Sequence, residues 1–137
     1  HLQEVILQLW FPHGQRPTPL DRAAQADLLE LIALARHELP REVHLQTPPN
    51  LWPLDVLPAV LEAGIDDFGG IDRRDVINPA YPQPSPEQLA ALLQRHGWQL
   101  QARTCVHSAW WPWLPSGLRR RVEQVAAGLS SEAREAC

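Results

Sequence analysis

Between Gln46 and Gly70 the chain reads QTPPNLWPLDVLPAVLEAGIDDFGG, placing amides, carboxylates and a glycine pair where two strands would end. An amide both donates and accepts hydrogen bonds, a carboxylate accepts, and glycine lets backbone N–H groups come close to a ligand. Such a set suits the binding and orientation of a polar ligand. Gln46 closes one strand-like run and is expected to contact a ligand, and Gln8 holds the same address late in the first strand. For Gln8 a ligand contact and a buried amide tying two strand ends together are both open. Asn50, in the Pro48-Pro49-Asn50 corner, either caps the helix that follows or points into a cavity, and capping is the expected role. Asp66 and Asp67 alternate in direction along a strand, so only one faces the interior. The neighbouring Phe68-Gly69-Gly70 selects Asp67, with a solvated ion-pair partner as the alternative. Gly69 and Gly70 either cradle a ligand with their amides or make a plain tight turn.

These residues need elements to hold them. Glu4 to Trp10 (EVILQLW) is a nearly continuous apolar run, the pattern of a strand covered on both faces. From about Arg22 to Leu39, apolar residues recur at helical spacing, with Asp21 as cap and Pro40 as stop. A strand is expected over Val43 to Gln46, and a helix from Pro53 to Ala63 ending at Gly64. Ile65 to Phe68 reads as a third strand. Ser85-Pro86-Glu87-Gln88 is a capping box opening a helix that ends at Gly97. Trp98, Leu100, Ala102 and Thr104 then alternate with polar residues as a fourth strand would. A last helix runs from Ser116 toward Gly128. Alternating strands and helices imply right-handed crossovers and a parallel sheet, an α/β fold. About four βα units are half of an eight-stranded barrel. The expected division is 1–107 for the barrel part and 108–137 for a Trp-rich segment and C-terminal helix.

Composition narrows the classes. The chain has 137 residues, 45% hydrophobic and 20% charged, with a formal charge of −4. Its basic residues are all arginine, and no global basic field invites nucleic acid. No apolar run approaches the roughly 20 residues that span a bilayer. Cys105 and Cys137 are too few for a disulfide framework and too far apart for a metal knuckle, so a cytoplasmic home is expected. The six histidines, among them His13 and His107, lack metal-ligand spacing and are expected to be structural or exposed. Asn78 is expected to form a turn. Trp110, Trp111 and Trp113 either cover a core edge or meet a partner, and Arg119 to Arg121 are either solvated or paired. No methionine is present and His1 directly precedes a strand, so the sequence is expected to be part of a longer protein.

The segments QEVILQ (Gln3 to Gln8), ARHELP (Ala35 to Pro40), LQTPPNL (Leu45 to Leu51), AGIDDFGG (Ala63 to Gly70) and INPAYP (Ile77 to Pro82) together resemble the radical S-adenosylmethionine subunit of FO synthase. The resemblance runs from about His1 to His107, in order, and corresponds to the C-terminal part of that enzyme. It implies the C-terminal half of a radical S-adenosylmethionine TIM-like barrel, with S-adenosylmethionine and a 4Fe-4S cluster as cofactors of the parent. It also implies a carbon–nitrogen lyase activity in deazaflavin coenzyme biosynthesis. A second radical subunit joins a tyrosine-derived fragment to a ribitylaminouracil, and this one closes the adduct into the deazaflavin with loss of ammonia. The small-molecule adduct and that second subunit are the partners implied, with neither nucleic acid nor membrane.

Gln8, Gln46, Asn50, Asp67, Gly69 and Gly70 are the binding residues expected on this reading, and no catalytic residue or metal ligand is assigned. The family's Cys-x3-Cys-x2-Cys cluster loop has no match here, so the chain by itself is expected to be inactive. Leu9 stands where the family usually has Asn, His13 for Lys, Thr47 for Ala, Phe68 for Trp and Ala80 for Glu. A half-barrel that binds a nucleotide-like ligand or a partner subunit without catalysis is the alternative.

Overall fold

A computed structural model describes residues 2–10, 20–71 and 82–135. Two compact units emerge, Leu2–Trp98 and Gln99–Cys137. The first is built on three parallel strands in the order β1 (Glu4–Ile6), β2 (His44–Thr47) and β3 (Asp67–Phe68). Val5 lies opposite Leu45, Ile6 opposite Gln46, and Gln46 opposite Asp67. Parallel neighbours require a crossover. The helix α1 (Arg22–Glu38) links β1 to β2, and α2 (Leu57–Glu62) links β2 to β3. Next comes α3 (Pro86–Arg95).

The helix ends follow the sequence closely. Asp21 Oδ1 accepts from the Ala24 N–H at 2.8 Å, capping α1. At the other end of α1, the Arg36 guanidinium donates to the carbonyls of Val43, Leu39 and Pro40. Gly64 (φ +127°) closes α2, with its own N–H donating to Leu61 O and that of Ile65 to Val60 O. The same device ends α3, where Gly97 (φ +81°) donates to Gln94 O and Trp98 to Leu93 O. Ser85 and Gln88 form both halves of the capping box.

The second helix departs from expectation by starting four residues late. A helix from Pro53 would need a Pro58 N–H for its ladder, and proline has none. The chain makes 3-10 turns at Pro49–Leu51 and Leu54–Val56 instead, and α2 follows with Pro58 in its first turn.

Side chains alternate across the sheet. Leu45 and Thr47 are fully buried and join a core formed by Ile32 of α1, Leu57 and Val60 of α2, Ile65, and Leu89 and Leu93 of α3. The other face carries Gln46 in the row with Ile6 and Asp67, and Ile6 is 51% exposed. Among the described residues β1 and β3 each pair with β2 only.

The first strand is shorter than its apolar run, and the cause lies in its neighbour. His44 N–H donates to Gln3 O, and Leu7 N–H still donates to Gln46 O. The next donor toward β1 would be residue 48, a proline without an N–H. The Thr47 hydroxyl fills that gap, donating to Leu7 O at 2.8 Å while accepting from Trp52 Nε1–H at 3.0 Å.

The fourth strand expected at Trp98 to Thr104 is absent among the described residues, and the sheet has three strands. A local bond competes for its backbone, since Arg103 donates to Thr104 O, and the Thr104 hydroxyl donates just beyond it to Val106 O. The alternating pattern also finds no cover, since Trp98 and Ala102 are both exposed. In this second unit a 3-10 turn over Ser108–Trp113 precedes α4 (Ser116–Glu135). That helix runs past Gly128 because one internal glycine costs only about 1 kcal/mol. No helix among the described residues is long and apolar enough to cross a membrane.

Candidate functional site

Gln46 is the centre of the polar cluster on the sheet face away from the core. Its side-chain amide donates to Asp67 Oδ2 at 3.0 Å and lies 3.5 Å from Glu4 Oε2. The residue is only 8% exposed. A buried amide is tolerated when its groups are partnered, and here carboxylates on the two flanking strands supply the acceptors. Gly69 completes the arrangement. A β-carbon on Gly69 would overlap Gln46 Oε1 and Cδ and lie 2.8 Å from Nε2. The Gly69 N–H donates back to Thr47 O at 3.4 Å, so this amide closes the turn onto β2. Gly70 adopts φ +68° with open space where a β-carbon would stand, and its carbonyl accepts from Gln83 Nε2 at 2.8 Å.

Asp67 therefore stands beside Gln46, as its place before Phe68-Gly69-Gly70 suggests. Asp66 is engaged elsewhere, accepting from the Leu45 N–H at 2.8 Å and bonded to His44 Nδ1 at 2.9 Å. Gln8 is exposed and lines a separate cleft of about 220 Å³ with Ile6, Leu28, Ile32 and Trp52. Asn50 does not cap a helix: Pro48, Pro53 and Val56 hold the three cap positions that follow Thr47, none with a side-chain cap. It is buried in the first 3-10 turn and lines a cleft of about 310 Å³ with Trp52, Leu54, Gln83 and Gln88. The structure thus gathers Gln46, Asp67 and Gly69, and leaves Gln8 and Asn50 in other surroundings.

Glu4 is the member that the sequence reading passed over. It shares the alternation of Ile6 and Gln8 along one strand, and that period-2 pattern was the available signal. His13, Asn78 and Ala80 lie outside the described residues. In the second unit Cys105 is exposed, Trp111 Nε1–H donates to Val106 O, and Trp110 and Trp113 have ring centroids 6.2 Å apart. Trp113 is 66% exposed, and Arg119 pairs with Glu123 at 3.2 Å one turn along α4.

The chain is similar over most of its length to part of known proteins. A 7,8-didemethyl-8-hydroxy-5-deazariboflavin synthase of Trichodesmium erythraeum is 40% identical over 131 residues, 95% of this chain and 41% of the relative. The protein of that name from Synechocystis sp. is 41% identical over 89% of the chain and 39% of its own length. That of Gloeobacter violaceus is 44% identical over 78% of the chain and 33% of its own length. The chain is a relative of the 7,8-didemethyl-8-hydroxy-5-deazariboflavin synthases. It spans about two-fifths of the length of the first two. No family model and no solved structure matches the chain. The match covers 89% or more of the chain in the first two synthases, and so takes in β2 and β3, the strands that carry Gln46 and Asp67.

Proposed function

We propose that the chain matches the C-terminal part of a radical S-adenosylmethionine synthase forming the deazaflavin FO, and that it supplies part of a barrel wall. The observation that carries this reading is the 40% identity to such a synthase over 95% of the chain. A parallel sheet bearing polar groups on the face away from its helices accords with it. Further strands on the edges of β1 and β3 would complete the half-barrel to which about four βα units were expected to contribute.

The chain's own residues act by binding and orientation. The carboxylates of Glu4 and Asp67 accept hydrogen bonds, which suits ligands rich in hydroxyl or N–H groups, such as a ribityl chain or an adenosyl ribose. Gln46 and Asp67 are the residues assigned to that contact, while Gln8 and Asn50 line other clefts. The residues present do not fit the cluster, which needs three thiolates, whereas the chain has Cys105 and Cys137. Cluster and S-adenosylmethionine belong to the whole synthase, where they supply radical initiation, and this chain by itself is inactive. The second radical subunit is the partner, and the cytoplasm the compartment. The missing thiolates also favour a second reading, a non-catalytic domain that binds a nucleotide-like ligand.

Replacement of Gln46 by Ala in the whole synthase is the test. Loss of a positioning contact lowers FO formation by about 10²-fold. Unchanged turnover would contradict the assignment of Gln46.

A further inference from the structure

We infer that Gly69 is a positioning residue that acts through Gln46: the space of its missing side chain is the seat of the Gln46 amide. Three observations meet at this point. A β-carbon at residue 69 would coincide with the end of the Gln46 side chain. Gly69 is not among the glycines of positive φ, Gly64, Gly70 and Gly97, so backbone conformation does not demand glycine there. Its N–H is committed to Thr47 O. The space at 69 is therefore taken by a side chain on the neighbouring strand, and a β-carbon there requires the Gln46 amide to move.

The consequence is directional. With the amide nitrogen held toward Asp67 and Glu4, the oxygen end lies against Gly69. Any side chain at 69 turns the amide out of this slot and separates it from Asp67. The inference rests on the proposed role of Gln46 where it concerns ligand, but the slot is a property of the chain and can be tested apart from activity.

The experiment follows the Gln46 side-chain NH2 resonances of the 137-residue chain, assigned by their loss in Gln46→Ala. In the unsubstituted chain they stand away from free-amide positions, and Gly69→Ala moves them to those positions. A Gln46 signal already at free-amide shifts in the unsubstituted chain, or one unmoved by Gly69→Ala, would overturn the inference. Stability gives a second readout through a double-mutant cycle. Gly69→Ala lowers the folding equilibrium constant roughly tenfold when Gln46 is present, and far less in the Gln46→Ala background. Equal losses in both backgrounds would overturn it. In the whole synthase, Gly69→Ala lowers FO formation, and adding Gln46→Asn, one methylene shorter, restores part of it. If resonances and cycle behave as stated while turnover is unaffected, the slot stands and the role of Gln46 in the reaction falls.

Discussion

Pro48 withholds a hydrogen-bond donor from the end of the sheet, and Thr47 restores it from its side chain. The hydroxyl satisfies Leu7 O and Trp52 Nε1 together, in a fully buried position. Thr47→Val keeps the shape and leaves both groups without a partner. Burying an unsatisfied group costs about 1–3 kcal/mol, so the urea midpoint falls accordingly, and an unchanged midpoint would show that the relay contributes nothing. This role was not legible in the sequence because it depends on the register between β1 and β2. The common face of Gln46 and Asp67 was legible, since strand alternation and the Gly-Gly corner mark it. Gly69 was singled out for the approach of its backbone to a ligand, and its contact with Gln46 depends on the pairing of β2 with β3. Glu4 was missed although the same alternation carries it.

At the scale of elements, the caps were the most legible features because their chemistry is local. Asp21, Ser85 with Gln88, Gly64 and Gly97 each occupy the expected position. Gly64→Ala tests two constraints at once. Its φ of +127° is strained for any side chain, and a β-carbon would lie 2.6 Å from Arg36 Cβ. A loss of about 1–3 kcal/mol in urea unfolding is expected, and a neutral substitution would mean that α1 and α2 adjust freely.

The start of α3 gives a pH dependence. The hydrogen bond from the Ser85 side chain, and then its own backbone N–H, hold the Glu87 carboxyl below its ordinary value of 4.5. A depressed carboxylate stabilises the folded state above its unfolded pKa, and that stabilisation is lost as pH falls through the folded value. Thermal midpoints should therefore decline below about pH 4.5, with Glu87→Gln removing part of the slope. An identical acid profile for the variant would contradict this. The strand at Trp98 to Thr104 marks the limit of such reading, because alternation records a face fit for burial and cannot record whether a neighbouring strand is there to cover it.

For the molecule as a whole, the parallel sheet was legible from the alternation of strands and helices, and the extent of the barrel was not. Likeness to deazaflavin synthases extends over most of the chain and about two-fifths of theirs, so the activity proposed is that of a larger assembly. The most direct test is an anaerobic assay of the natural protein that contains this chain, supplied with the second radical subunit, tyrosine, the ribitylaminouracil, S-adenosylmethionine and a reductant. The account predicts FO, detected by its fluorescence and mass, together with adenosyl cleavage. Adenosyl cleavage without any deazaflavin product would contradict it and assign the chain to a radical enzyme of different substrate.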